Sequence, residues 1–341
     1  MTAQAQSVNR RYILQRRPSG DFDPSVLTCV SEPIPVPGAN EALVHNRYLS
    51  LDPSNRIWMG EGESYMPPVQ IGAVMRGAGL GEVVVSNSAK YPVGARVLGL
   101  LGWQDYAVIG TIDEFPPEKL PRFLPVPEPL LLSTLGTTGL TAYFGMMDIG
   151  KPRRGETVLV SAAAGAVGSI AGQIARLRGA RVIGIAGSHE KCDWLVKELG
   201  FAHAICRRDT DWRAQLSAAC PNGIDVDFEN VGGEIMEAAF DLLNPHARVV
   251  LCGLIAQYGA DGEASGPRNF ANLLMRRVRL EGFNLLDYQS RFYPAAIRLG
   301  WWMLRGKIKD RHTLIHGLDK APEALVGLFN GTNIGKLIVR I

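Results

Sequence analysis

The stretch Val158-Leu159-Val160-Ser161-Ala162-Ala163-Ala164-Gly165-Ala166-Val167-Gly168 decides how the rest of the chain is read. Three apolar β-branched or aliphatic residues predict the end of a buried strand, and small residues then lead into an amphipathic helix predicted over Val167 to Arg178. The spacing matches G-x-G-x-x-G with Ala163 in the first glycine position. Gly165 would let the backbone approach a pyrophosphate, and Gly168 would let the helix pack close to the strand. The free N–H groups and the dipole of the helix start, at Ala166 and Val167, would hold anionic phosphates.

Moving outward, Thr157 to Val160, Arg181 to Ile185, Ile224 to Phe228 and Arg248 to Cys252 read as strands. Helices are predicted between and around them at Leu130 to Met147, Glu190 to Leu199 and Glu234 to Leu243. Strands alternating with ten-residue helices require right-handed crossovers, so the fold class is α/β with a doubly wound parallel sheet. The first ~130 residues differ, with short β-rich runs (Glu41 to Asn46, Gly81 to Val85, Gly94 to Gly99) between turns, and they predict an antiparallel, barrel-like unit. A proline-dense run from Phe115 to Pro129 suits neither helix nor central strand and reads as the connection between units. The tail, Gly335 to Ile341, reads as a strand rejoining the first unit, which places residues 1–133 and 311–341 in one domain and 134–310 in the other.

Composition narrows the function classes. The 341 residues carry a net charge of +3, and the arginine pairs are scattered rather than gathered into a stripe, so no nucleic-acid partner is expected. No apolar run is long enough to span a bilayer, and the polar, basic first seventeen residues predict no secretory leader. Five cysteines without a C-x-x-C pair predict neither a disulfide framework nor a zinc knuckle, and a cytoplasmic, reducing compartment. His312 and His316 have i, i+4 spacing, but Thr313 stands where a zinc protease needs Glu and the segment reads as strand, so no metal is expected.

The end of the second predicted strand, Gly184 to Lys191, lacks the acid that binds an NAD ribose. It offers Ser188 and Lys191, with Arg207 and Arg208 after the next apolar segment. A hydroxyl, an ammonium and a guanidinium attract a 2′-phosphate that a carboxylate would repel, so the expected cofactor is NADPH.

These residues, together with Tyr48 to Pro53, Leu135 to Gly145, Phe228-Glu229-Asn230-Val231-Gly232-Gly233 and Asn333-Ile334-Gly335-Lys336, make the whole chain resemble the zinc-independent medium-chain dehydrogenase/reductases. The similarity is to the branch of prostaglandin reductases and alkenal double-bond reductases. It implies a Rossmann cofactor domain beside a GroES-like β-barrel domain, and a homodimer formed through the cofactor domains, with Val278 to Leu286 supplying an edge strand. Zinc-dependent relatives carry Gly-His-Glu where this chain has Gly72-Ala73-Val74.

The resemblance implies cofactor contacts at Gly165, Ala166, Val167, Gly168, Ser188, Lys191 and Asn230. It extends them to Cys252, Gly253, Leu254, Ile255 and Tyr258 after the fifth strand, and to Phe283, Asn284, Leu285 and Asn333 near the nicotinamide. Arg207 stands where the family usually has Tyr, and Ser54 where relatives place a cavity-lining Tyr. The family's activity is hydride transfer to the β-carbon of an α,β-unsaturated aldehyde or ketone, followed by protonation of the enolate. Tyr258 aligns with the proton donor, water or a ribose hydroxyl being the other source. Tyr48, Ser54, Trp58, Trp103 and Tyr288 are the expected walls of an apolar substrate pocket. Trp301 and Trp302 read as helix packing. The alternatives are an NADPH-dependent quinone reductase or a cofactor-bound protein without turnover.

Overall fold

A computed structural model describes residues 8–62, 64–110, 115–122, 125–259 and 266–341. The chain divides into two units, one of residues 1–132, 313–332 and 337–341, the other of 133–312 and 333–336. In the first, β1 (Val8–Leu14) and β2 (Leu27–Pro33) form an antiparallel ribbon. β3 (Glu41–Leu51) pairs antiparallel with both β4 (Ala78–Ser86) and β6 (Tyr106–Gly110), and β4 with β5 (Arg96–Leu100), which in turn pairs with the short β7 (Glu118–Lys119). Two register shifts in β3, at Leu43/Val44 and Asn46/Tyr48, bend the long strand as a barrel wall requires. α1 (Ser54–Met59) follows β3 directly, and Leu14, Leu49, Leu51, Met59, Met75 and Trp103 form a buried core.

The second unit opens with α2 (Thr137–Phe144) and a π turn over Gly145–Gly150. The single helix expected over Leu130 to Met147 is thus broken. Residues Glu128–Leu132 form a 3₁₀ turn, and Ser133 and Thr134 instead spend their hydroxyls on Asp310. Then come β8 (Thr157–Val160), α3 (Ala166–Leu177), β9 (Arg181–Ala186), α4 (His189–Lys197), β10 (His203–Cys206), α5 (Trp212–Ala219), β11 (Ile224–Glu229), α6 (Gly233–Leu242) and β12 (Leu243–Leu251). α7 (Ala271–Met275), β13 (Arg279–Gly282) and α8 (Phe292–Leu304) complete the unit. The sheet order is β10-β9-β8-β11-β12-β13, with parallel pairing throughout. This is the 3-2-1-4-5-6 order of a Rossmann sheet.

Strand periodicity explains the two-sided core. Val158 and Val160 face one cluster with Ile170, Ile174 and Phe228, while Leu159 faces the other with Ile183, Ile205 and Val249. Burial on both faces is why these strands read as continuous apolar runs. Finally β14 (His312–His316), α9 (Ala321–Phe329) and β15 (Lys336–Arg340) return the chain to the first sheet, whose order is β14-β15-β3-β4-β5-β7. No helix among the described residues is long and apolar enough to cross a membrane.

Candidate active site

The strand order of the second unit reverses between β8 and β11, and the carboxyl ends of those two strands open the crevice where such sheets take ligands. The turn after β8 is tight. The Gly165 amide donates to the Ala162 carbonyl at 2.9 Å, and Gly165 caps α3 with an extended backbone. The residue in the left-handed region is Ala162, with φ 45°, so the strain sits one position before the Ala163 at which the glycine pattern begins. A Cβ on Gly168 would lie 2.5 Å from the Ala162 carbonyl oxygen and 3.0 Å from the Ala163 Cα. Gly168 is therefore required by the close approach of α3 to the turn. The segment from Asn333 to Gly335 packs on the same turn: the Gly335 amide donates to Ala164 at 2.8 Å, and the buried Asn333 side chain donates to the Gly335 carbonyl. Gly165 to Gly168 and Asn333 are thus brought together.

Across the crevice, Ser161 Oγ donates to Glu229 Oε1 at 2.7 Å and accepts the Asn230 amide, while Asn230 Nδ2 donates to the Ser161 carbonyl at 2.7 Å. Glu229 Oε1 also accepts the amides of Val231 and Gly232. Burial raises the Glu229 carboxyl pKa in spite of these donors, and burial and then the Glu229 charge raise that of Asp227 well above the carboxylate range. Asn230 is an expected contact, whereas Ser161 and Glu229 stand in their motifs without an expected role. The signal was present as acids at every second position (Asp225, Asp227, Glu229) of a strand that should be apolar on both faces.

The loop after β12 is stitched to the loop after β11 by backbone bonds from Cys252 and Gly253 to Glu229, from Ile255 to Asn230, and from Ala256 to Val231. Burial pushes the Cys252 thiol up to about 12, which leaves it no role as a thiolate at neutral pH. Tyr258 folds back over this loop. Its hydroxyl accepts the Leu254 amide at 3.3 Å and lies 3.2 Å from where a Cβ on Gly253 would stand. Burial raises the phenol pKa, with the Leu254 amide opposing, so Tyr258 stays protonated with its own O–H to donate.

At the end of β9, Ser188 caps α4 by accepting the Lys191 amide. Lys191 is 9% exposed, and its ammonium pKa is lowered first by burial and then by Arg208. The Arg207 amide donates to the Ala186 carbonyl, which fixes the loop, while the neighbour felt by Lys191 is Arg208 rather than Arg207. Two cations crowded at a strand end, one of them buried, form a place that an anion stabilises.

The aromatic positions divide. Phe283 and Leu285 pack against the sheet core, and Asn284 caps the following turn through the Leu286 amide. Tyr288 stacks on Phe144, with centroids 4.5 Å apart, under the Arg291 guanidinium. In the first unit Tyr48 lies on β3, and Ser54 begins α1. Trp103 is corrected: it has no exposed surface and packs edge-on against Tyr12 in the core, as a wall residue could not. Trp58 packs in the same cluster, with Arg76 over its ring. Trp302 packs beside Tyr143, but Trp301 is 46% exposed under Arg305, so only one of the pair serves helix packing.

Two family models cover most of the chain, one described as the N-terminal domain of oxidoreductase over residues 10–114 and one as zinc-binding dehydrogenase over 166–301. The NADPH-dependent curcumin reductase of Escherichia coli is 40% identical over 98% of this chain and 97% of its own. The chain belongs to the zinc-independent medium-chain dehydrogenase/reductases. The NADP⁺-dependent 2-alkenal reductase of Nicotiana tabacum is 38% identical over 89% of this chain and 88% of its own. The crystal structure of CurA from Vibrio vulnificus in complex with NADPH superposes with a TM-score of 0.91 at 42% identity, covering 97% of this chain and 98% of that one. For a medium-chain dehydrogenase/reductase whose second model carries a zinc name, the metal question has a local answer. At Gly72-Ala73-Val74 there is no ligand side chain, and the backbone there is used to bind β1, Leu14 donating to Ala73 and Gly72 to Leu14. The residues present do not fit a catalytic zinc at that position.

Proposed function

We propose that this protein is an NADPH-dependent reductase of the carbon–carbon double bond of α,β-unsaturated aldehydes and ketones. The observation that carries the reading is the buried Lys191, with Ser188 before it, at the strand end where an NAD site places an acid. The full-length similarity to curcumin and 2-alkenal reductases supports the substrate class. The residues fit the cofactor: Gly165 to Gly168 offer the α3 N-terminus to its pyrophosphate, Ser188, Lys191 and the arginines at 207 and 208 meet a 2′-phosphate, and Asn230, Cys252 to Ile255, Phe283 to Leu285 and Asn333 surround the remainder. When bound, NADPH supplies the hydride. The chain's own contribution is Tyr258, which stays protonated and donates its O–H to the oxygen that gains charge as an enolate.

Steady-state turnover with NADPH tests this, measured on an alk-2-enal, an aromatic enone and a quinone. Turnover of the enal or enone with NADPH far ahead of NADH is expected. Lys191→Ala should narrow that preference by about 10- to 100-fold, the worth of one charge-assisted contact. No turnover of either unsaturated carbonyl despite NADPH binding, or faster reduction of the quinone, would overturn it.

We also infer a homodimer in the cytoplasm, with no nucleic-acid partner. On α8, Tyr293, Ile297, Trp301 and Leu304 are exposed along one helical face, α7 exposes Leu274, and β13 ends the sheet. So large an apolar surface calls for a covering partner. Light scattering at twice the chain mass, falling to one chain mass in Ile297→Asp, is the expected result.

A further inference from the structure

We propose that His189, Cys206 and Asp209 form a binding site for a zinc-like transition-metal ion at the carboxyl ends of β9 and β10, beside the Ser188 and Arg207 that the proposed function gives to the 2′-phosphate. The three residues come from different elements: His189 starts α4, Cys206 ends β10, and Asp209 stands in the loop before α5. One donor atom from each lies within 4.8 Å of the others, and among the described residues this is the one such group. His189 Nε2 is already 3.1 Å from Asp209 Oδ1.

Tetrahedral zinc holds nitrogen and oxygen at about 2.0–2.1 Å and sulfur at about 2.3 Å, so its ligand atoms stand about 3.4–3.6 Å apart. The cluster must therefore contract by roughly 1 Å, and one of its members can move. The His189 side chain is 78% exposed, whereas Cys206 is buried. The frame around them is fixed. Asp209 donates its amide to the Cys206 carbonyl at 3.1 Å, Arg207 is tied to Ala186, and the Asp209 Oδ2 accepts from Gln215 Nε2 at 3.2 Å, leaving Oδ1 turned to His189. An outer hydrogen bond of this kind orients a carboxylate ligand.

The donor chemistry selects the ion. One imidazole, one thiolate and one carboxylate suit zinc or cobalt rather than the all-oxygen preference of magnesium and calcium. Three protein ligands leave a fourth position for water. Binding releases the Cys206 thiol proton and any proton on His189 to solvent, since only the deprotonated groups ligate. In the absence of metal the pairing of the exposed His189 with the half-buried Asp209 contributes little to stability.

The test is a titration of the full-length, chelator-treated protein with Co²⁺. One equivalent should bring up a near-ultraviolet thiolate-to-cobalt band with the visible bands of a tetrahedral centre, and Zn²⁺ should bleach both. Cys206→Ser should remove the thiolate band, and His189→Ala, at an exposed position that leaves the fold intact, should weaken Co²⁺ binding at least tenfold. Cys29→Ser, which removes the exposed thiol of β2, should leave the spectrum unchanged. Absence of the thiolate band from the wild-type protein, its survival in Cys206→Ser, or unchanged affinity in His189→Ala would overturn the proposal. These readouts are taken without NADPH or turnover, so failure of the metal site and failure of the proposed reductase activity are distinguishable.

Discussion

A side chain at residue 168 would collide with backbone, not with another side chain. The nearest atoms to a Cβ there are the Ala162 carbonyl oxygen and carbon and the Ala163 Cα, none of which moves without opening the turn. Gly168→Ala is therefore expected to cost about 1–3 kcal/mol of stability, as overpacking does. NADPH affinity should fall with it, because the displaced atoms belong to the phosphate turn. Thermal denaturation with a parallel NADPH titration checks both; a fully native melting temperature and affinity would contradict the geometry. The glycine pattern made this position legible from the sequence, since the reason for Gly168 is local. Trp103 was not legible in the same way. Its ring is equally apolar in a core and in a pocket wall, and only the packing of Gly77 and Tyr12 around it decides. The positive φ of Ala162 is illegible for a related reason, since alanine carries no mark of it.

At the level of the element, β11 shows where periodicity helps and where it stops. Its span as a strand was readable from Ile224 to Phe228, because apolar residues alternate with polar ones before a glycine-rich turn. That alternation suggests one wet face, yet the strand is central and buried on both. The acids must then be neutral or paired. Glu229 uses its Oε1 to tie β8, through Ser161, to its own following turn, whereas both oxygens of Asp227 lack partners among the described residues. A carboxyl whose folded pKa is raised binds more protons folded than unfolded, so its effect on stability worsens as pH rises from the unfolded value of about 3.9 toward the folded one. Asp227→Asn removes that titration while keeping the shape. The expected outcome is a melting-temperature difference, variant minus wild type, that grows in the variant's favour between about pH 5 and pH 8. A difference independent of pH would mean that Asp227 is charged in the fold. The broken helix before Thr137 belongs to the same scale. Its composition is helical, but a Cβ on Gly139 would stand 1.9 Å from the Thr134 carbonyl oxygen, and Ser133 and Thr134 turn to a carboxylate 177 and 176 residues away. No window of local sequence contains that partner.

At the scale of the whole molecule, the chain passes between the units at residues 132–133, 312–313, 332–333 and 336–337, and one hydrogen-bonded group stands at the first two of these passages. Asp310 accepts from Ser133 Oγ, from Thr134 Oγ1 at 2.6 Å and from His312 Nδ1 at 2.9 Å. Burial would raise its carboxyl pKa, but the bonds from His312, Ser133 and Thr134 outweigh it and hold the pKa below the ordinary value. The hydrogen bond to Asp310 raises the His312 imidazole pKa against the opposing effect of burial. The signs then define a window. The depressed Asp310 contributes fully above its unfolded pKa of about 3.9 and loses that contribution as pH falls through the lower folded value. The raised His312 contributes fully below its unfolded pKa of about 6.5 and loses its share as pH climbs through the higher folded value. Both act together between about pH 4 and pH 6.5. His312→Gln keeps a hydrogen-bonding side chain and removes the charge. It should lower the melting temperature by a few degrees at about pH 5.5, and the gap to wild type should narrow as pH rises above about 6.5 and through the raised folded value. A gap that stays constant across that range would assign His312 a packing role and leave Asp310 held by its two hydroxyl donors alone.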